Sequence, residues 1–161
     1  MNQINIDVAC TDNKKTKDIR QSAFRATKLG NQIVIANRLI QVLYQNEQFD
    51  LANEYNITTS KFVPSKDGVY NLIGTVHFQP NETNITYEII VTFSVNGVLA
   101  GADVETTTTV ITNQSIVETV DILSLKAGDI VEVKAISTVA GQFISGGGTR
   151  FAVSRITSPT N

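Results

Sequence analysis

The feature that most limits the fold of this chain is a segment in which apolar and polar side chains alternate. The apolar side chains on one face of this segment are Tyr87, Ile89, Val91, Phe93 and Val95. On the other face, Ile90 is the exception among polar residues. A period of two in β-branched and aromatic residues is typical of a half-buried β-strand. Asn96-Gly97 follows directly, and because both residues tolerate positive φ, they predict a tight hairpin turn into a second strand.

Strand patterns of this kind recur along most of the chain. Further strands are predicted at 69–78, 115–125, 130–137 and 151–156, and shorter ones at 23–29, 32–35 and 38–44. Gly146-Gly147-Gly148 is predicted to be a loop. No segment after residue 20 has a helical period, so the sequence predicts an all-β antiparallel sandwich or barrel.

The length of 161 residues fits one domain preceded by a short distinct segment. Residues 1–20 are predicted to be a tail or anchor, and residues 21–161 the folded domain. The basic side chains of the tail are candidates for docking to an acidic partner surface, although a solvated tail is the more common explanation. These side chains are Lys14, Lys15 and Lys17.

Charge and cysteine content argue against several classes of protein. A formal net charge of −2 gives no general attraction to phosphate backbones or anionic membranes, so we expect no nucleic-acid binding. No apolar run approaches the length of a membrane span, so we expect no membrane insertion. The single cysteine, Cys10, rules out an intramolecular disulfide and a cysteine-rich zinc site. The first residues do not resemble a signal peptide, which predicts synthesis in a cytoplasm if Met1 is the native start.

The segment 55–72 resembles the signature of the C1q-like globular domain. The residues that match in register are Tyr55, Lys61, Phe62, Gly68, Val69 and Tyr70. The usual Asp, Gly, Pro and aromatic residue of that signature are replaced by Asn56, Ser60, Asp67 and Leu72.

The flanking segments are also similar to that family, so the resemblance covers about residues 22–156. Ser22-Ala23-Phe24 resembles the family's opening strand, and 123–133 resembles its late Gly-Asp hairpin. Phe151 lies where the aromatic residue of the last strand is expected. Val153 replaces the glycine that the family has two residues later, which puts close packing at that edge in doubt.

The resemblance implies a ten-stranded antiparallel jelly-roll sandwich, related to the tumour-necrosis-factor (TNF) ligands, that assembles as a tight homotrimer. It implies interface strands that are apolar and often aromatic, and a binding surface on loops or in grooves between subunits. We expect no enzymatic activity. The candidate residues for the trimer interface or core signature are Phe24, Tyr55, Phe62, Tyr70, Phe93 and Phe151.

Few residues are candidates for chemistry. His77 is the only histidine, and a Ser-His-Asp arrangement would have to use it. Asp103 and Glu105 share one strand face, and some C1q-like proteins bind calcium with loop carboxylates. Calcium needs six to eight oxygen ligands, so we expect no cofactor, with calcium as the alternative. Gly146-Gly147-Gly148 lacks the lysine and helix of a phosphate-binding loop and is a candidate for a ligand-contacting loop.

Two functions remain. The sequence has no Gly-X-Y stalk and no signal peptide, which favours a non-enzymatic trimer of a virus (phage) particle, such as a fibre or needle knob or a capsid decoration. Its tail would dock to virion proteins and its head would contact a host-surface glycan or protein. The alternative is a ligand-binding or adhesive trimer on a bacterial cell or spore surface. Hydrolysis through His77 is a distant third.

Overall fold

A computed structural model of the chain describes residues 21–107 and 114–156, and for residues 102–107 it describes the backbone alone. The predicted tail, residues 1–20 with its three lysines, lies outside the described residues. Within the described ranges no helix is long or apolar enough to cross a membrane.

The described residues form thirteen β-strands. Eight of them are five or more residues long: β1 Ala23–Lys28, β4 Asn46–Asp50, β7 Gly68–Pro80, β8 Tyr87–Val95, β9 Val98–Thr107, β10 Ser115–Leu125, β11 Val131–Ser137 and β13 Gly146–Ile156. The other five are short: β2 Gln32–Val34, β3 Ile40–Gln41, β5 Tyr55–Asn56, β6 Lys61–Phe62 and β12 Gly141–Phe143. Two-residue pieces such as β3 and β5 raise the number above the ten strands expected, and the eight longer strands match the number in a jelly roll.

The strands form two sheets in which every pairing is antiparallel, as the sequence predicted. The first sheet has seven strands, six of which follow the order β2-β12-β7-β13-β1-β4. Strands β12 and β13 pair with successive parts of one edge of β7, and the seventh strand, β10, pairs with its opposite edge. The second sheet has six strands in the order β5-β6-β11-β8-β9, with β3 also paired to β11. The predicted hairpin joins β8 to β9, where Asn96 and Gly97 have φ angles of 52° and 86°.

Aromatic rings from both sheets fill the space between them. The Phe24 ring lies 4.3 Å from the Tyr55 ring, 5.2 Å from Phe62 and 4.9 Å from Phe151, measured between centroids. The two stacked pairs and one edge-to-face pair are the arrangements that the ring quadrupole favours, and large rings remove much apolar area from water. This cluster therefore holds the first sheet against the second.

The strand predicted at 38–44 is shorter in the structure, where only Ile40–Gln41 pairs as β3. Asn37 has a φ of 58°, which bends the chain before the strand. Beyond β3, the Tyr44 amide donates to the Ser60 hydroxyl oxygen at 2.8 Å rather than to a neighbouring strand. A side-chain acceptor thus replaces the sheet partner that periodicity alone would assume.

Candidate functional site

The outer face of the first sheet carries exposed apolar side chains at positions where a monomeric protein would place polar ones. On β10, Ile116, Val120 and Ile122 are 60%, 53% and 60% exposed. The alternate residues of the same strand point inward, with Val117 and Leu125 buried. A strand that is apolar on both faces is typical of one that is covered on both sides.

Neighbouring strands extend this apolar surface, because residues directly opposite in register share one face of the sheet. Val120 pairs with Ile73 of β7, and Ile73 pairs with Ala152 of β13. One end is completed by Val69 and Ile156, which pair with each other and are both exposed. We call this surface the apolar face: Val69, Ile73, Ile116, Val120, Ile122, Ala152 and Ile156. Contiguous apolar patches of this kind usually mark an interaction site.

One charged row crosses the apolar face. Thr75 pairs with Glu118 on one side and with Arg150 on the other. Arg150 Nη2 lies 2.6 Å from Glu118 Oε2, and the Thr75 hydroxyl donates to the same carboxylate oxygen at 2.9 Å. The two charges therefore neutralise each other within the face, which allows a partner to cover them without leaving a net charge.

His77 lies in the next row, on the same outward side of β7. Its Nε2 is 2.7 Å from Gln114 Oε1, and its backbone amide donates to the Thr149 hydroxyl oxygen at 3.0 Å. In the part of the chain that the structure describes, no carboxylate hydrogen-bonds to this ring. His77 therefore lacks, in that part, the carboxylate that orients the histidine of a Ser-His-Asp triad.

The glycine run, predicted to be a loop, opens strand β13 instead. Gly146 pairs with Lys28, whereas the next pair of the ladder joins Arg150 to Thr27, so residues 147–149 bulge out of the pairing. A side chain at Gly148 would meet the His77 Cβ at 3.3 Å, whereas Gly146 and Gly147 have open space around them. The run is thus a bulged strand end beside His77.

All six aromatic residues predicted as interface or core signature lie in the interior of the single chain: Phe24, Tyr55, Phe62, Tyr70, Phe93 and Phe151. Their rings contact one another, so in the single chain these residues belong to the core and not to the surface.

The predicted calcium alternative rests on Asp103 and Glu105. Both belong to β9, but their side chains lie outside what the structure describes. Among the described side chains, no group of three or more His, Cys, Asp or Glu residues is placed to hold a metal ion.

The apolar face was missed at the sequence level, although its signal is visible. In 115–125 both alternating sets contain aliphatic residues, with Ile116, Val120 and Ile122 in one set and Val117 and Leu125 in the other. A separate signal is Ile90, the exception on the polar side of its strand, which marks the outer face of the second sheet and not the apolar face.

Comparison with solved structures identifies the fold. The chain is similar to Eiger TNF from S. frugiperda, with 13% identity and a TM-score of 0.60 over 88% of this chain and 96% of that one. It is similar to the globular domain of the zebrafish complement 1qA protein, with 13% identity and a TM-score of 0.59 over 86% and 99% of the two chains. For murine APRIL the values are 14% identity and a TM-score of 0.62 over 84% and 99%. The chain therefore has the jelly-roll fold of the TNF and C1q domains, as the sequence predicted.

At the level of sequence, no protein-family model and no curated protein matches the chain. The likeness to the solved structures, at 13% to 14% identity, thus defines the fold alone.

Proposed function

We propose that the chain is a non-enzymatic homotrimeric head, assembled through its apolar face, that serves as a structural or host-attachment protein of a virus particle. The observation that carries the assembly is the exposure of Ile116, Val120 and Ile122 on one strand. Covering these side chains removes apolar area from water. In a closed, rotationally symmetric assembly the apolar face of every subunit is covered. The C1q-like resemblance of the sequence implies the same trimer.

The charged row supports a specific assembly over loose hydrophobic association. Glu118 and Arg150 already neutralise each other, and Thr75 holds the carboxylate. A partner subunit that buries this row must leave the contacts among Thr75, Glu118 and Arg150 intact, so the row favours one docking geometry. The environment of His77 is consistent with a structural or binding role, because its ring hydrogen-bonds to the side-chain amide of Gln114.

Light scattering of the purified protein tests the assembly. We expect a mass of about 52 kDa, three times the subunit mass of 17.5 kDa. Val120→Asp places a charge in the middle of the apolar face and is expected to give monomers that remain folded. Val98→Asp is the matched control, because Val98 is also an exposed valine but lies on the second sheet. A monomeric wild type, or loss of the trimer in the control, would refute the proposal.

The role in a virus particle is the finer part of this proposal. It requires the segment 1–20, with Lys14, Lys15 and Lys17, to dock to virion proteins while the head contacts a host-surface glycan or protein. Replacing the three lysines by glutamate is expected to stop incorporation into particles while the trimer mass stays unchanged. Normal incorporation of this variant would refute docking through the three lysines. A source genome without capsid or tail genes nearby would instead favour the bacterial-surface alternative.

A further inference from the structure

A second apolar surface lies on the opposite side of the molecule, on the outer face of the second sheet. It is a groove of about 440 Å³ lined by Leu39, Ile90, Thr92, Leu99, Ala100, Gly101 and Ile136. From this groove we infer a binding site for a medium-chain alkyl carboxylate, with the hydrocarbon chain in the groove and the carboxylate beside Lys134. This site is separate from the apolar face and does not depend on trimer formation.

The sequence forms this groove by placing isoleucine where the sheet would normally be polar. Ile90 of β8 pairs with Ile136 of β11, so the two side chains form one apolar floor. Leu39, just before β3, and Leu99 of β9 are exposed and form the walls at opposite ends. Because the lining is almost entirely aliphatic, the groove would select its ligand by apolar contact.

A backbone irregularity lies at the β9 end of the groove. The register between β8 and β9 shifts after Thr92, and Gly101 is the extra residue, with a φ of 62°. The Thr92 hydroxyl donates to the Gly101 carbonyl, so the polar group in the floor is already satisfied. A methyl group at Gly101 would come within 2.6 Å of Asp121 Oδ2, so a side chain here would be strained and crowded.

The charges around the groove differ between its two ends. Lys134 pairs with Thr92 across the strands, and its side chain is only 23% exposed, so its stem already packs against the sheet. Its ammonium lies 3.6 Å from Glu132 Oε2, a carboxylate that Lys61 shares at 3.4 Å. The two lysines and one glutamate leave one positive charge in excess at this end. Asp121 lies at the other end, beyond Gly101, so a ligand carboxylate is favoured at Lys134 and disfavoured there.

The size of the groove suits a flexible hydrocarbon chain. A volume of about 440 Å³ falls within the range of small-molecule sites. From Lys134 on β11 to Leu99 on β9 the distance is two strand spacings, roughly 10 Å, which is close to the extended length of an alkyl chain of about eight carbons.

Calorimetric titration of the full chain with decanoate and with decanol tests the site. We expect saturable binding of decanoate with a Kd below about 1 mM. Lys134→Met keeps the packed stem and removes the charge, so decanoate binding is expected to weaken about tenfold while decanol binding is unchanged. Lys126→Met is the control, because it removes a lysine charge from a distant exposed turn.

A second pair of variants tests the apolar wall. Leu99 and Leu51 are 51% and 50% exposed, but Leu51 lies outside the groove, just after β4 of the first sheet. Leu99→Asn is expected to weaken both probes at least fivefold, and Leu51→Asn to leave both unchanged, with the mass in light scattering unaffected in each. The inference is overturned if decanoate does not saturate, if decylammonium binds more tightly than decanoate, or if Leu51→Asn has the effect of Leu99→Asn.

Discussion

Arg150 and Glu118 meet across β7, their strands lying on either side of it, with Arg150 Nη2 at 2.6 Å from Glu118 Oε2. In the single chain both side chains are partly exposed, so the pair contributes little to the stability of one subunit. In the proposed trimer the pair gains importance, because a charge that loses its partner under a second subunit is buried without compensation.

Arg150→Met is therefore expected to change the unfolding free energy of the subunit by less than about 1 kcal/mol while weakening the trimer at least tenfold. The measurement is light scattering over a dilution series, with urea unfolding for the subunit. The double variant Arg150→Met/Glu118→Met removes both charges and is expected to recover most of the assembly. Equal dissociation of Arg150→Met and wild type would place the pair outside the interface.

The second sheet shows how far periodicity carries a prediction. The alternation of apolar residues from Tyr87 to Val95 predicted the inward face of β8: its first four side chains are buried, and Val95 is partly buried. The hairpin at Asn96-Gly97 was predictable because both residues need positive φ. Local pattern could not predict that the pairing of 38–44 with β11 stops at Val42, since the Ser60 hydroxyl that accepts from the Tyr44 amide is distant in sequence.

A buried carboxylate ties the start of the first strand to a distant turn. Glu54 is 7% exposed, and its carboxylate accepts hydrogen bonds from the Ser22 hydroxyl and from the Ser65 amide. Glu54→Ala removes a charged acceptor and leaves both donors unpaired, so we expect a loss of about 3 kcal/mol of unfolding free energy. Urea unfolding measures it, with Glu82→Ala as the exposed control. A loss in Glu54→Ala no larger than in the control would show that the contacts contribute nothing.

The candidate sites were harder to predict than the core, for a physical reason. The predicted aromatic residues such as Phe24 and Phe151 are large and apolar, and these properties identify a core residue without showing which surface meets a partner. Ile116 and Val120 become an interface candidate only when β10 lies beside β7 and Ile73 extends the patch. That pairing joins residues that are 37 to 57 positions apart in the chain, a distance that single-sequence patterns do not reach.

Gly74 of β7 lies in close contact with side chains of both sheets. A methyl group there would lie 3.1 Å from Val133 Cγ2, 3.2 Å from Phe93 Cε1 and 3.3 Å from Thr119 Cγ2. Gly74→Ala is therefore expected to destabilise the fold by about 1–3 kcal/mol through overpacking. Gly30→Ala is the matched control, because a methyl group at Gly30 meets nothing within 4 Å. Thermal unfolding compares the two, and equal midpoints would show that the core relaxes around the methyl group.

Lys28 predicts an unusual dependence of stability on pH. Its Nζ is held by Gln32 Oε1 at 2.9 Å and the Leu43 carbonyl at 3.0 Å, both of them uncharged acceptors. Burial lowers the pKa of this amine from 10.5 to about 8. Between these two values the unfolded chain holds a proton that the folded chain lacks, so the unfolding free energy rises with pH from about 8.

Three tyrosines set the pH above which the unfolding free energy falls again. Burial raises the pKa of Tyr44, Tyr55 and Tyr70, to about 12 for Tyr55. Above the ordinary value of 10.0 the unfolded phenols ionise first, so stability falls again. We expect the urea midpoint to increase between about pH 8 and pH 10 in the wild type and to stay level there in Lys28→Met, which has no amine to titrate. The same rise in Lys28→Met would assign it to another group.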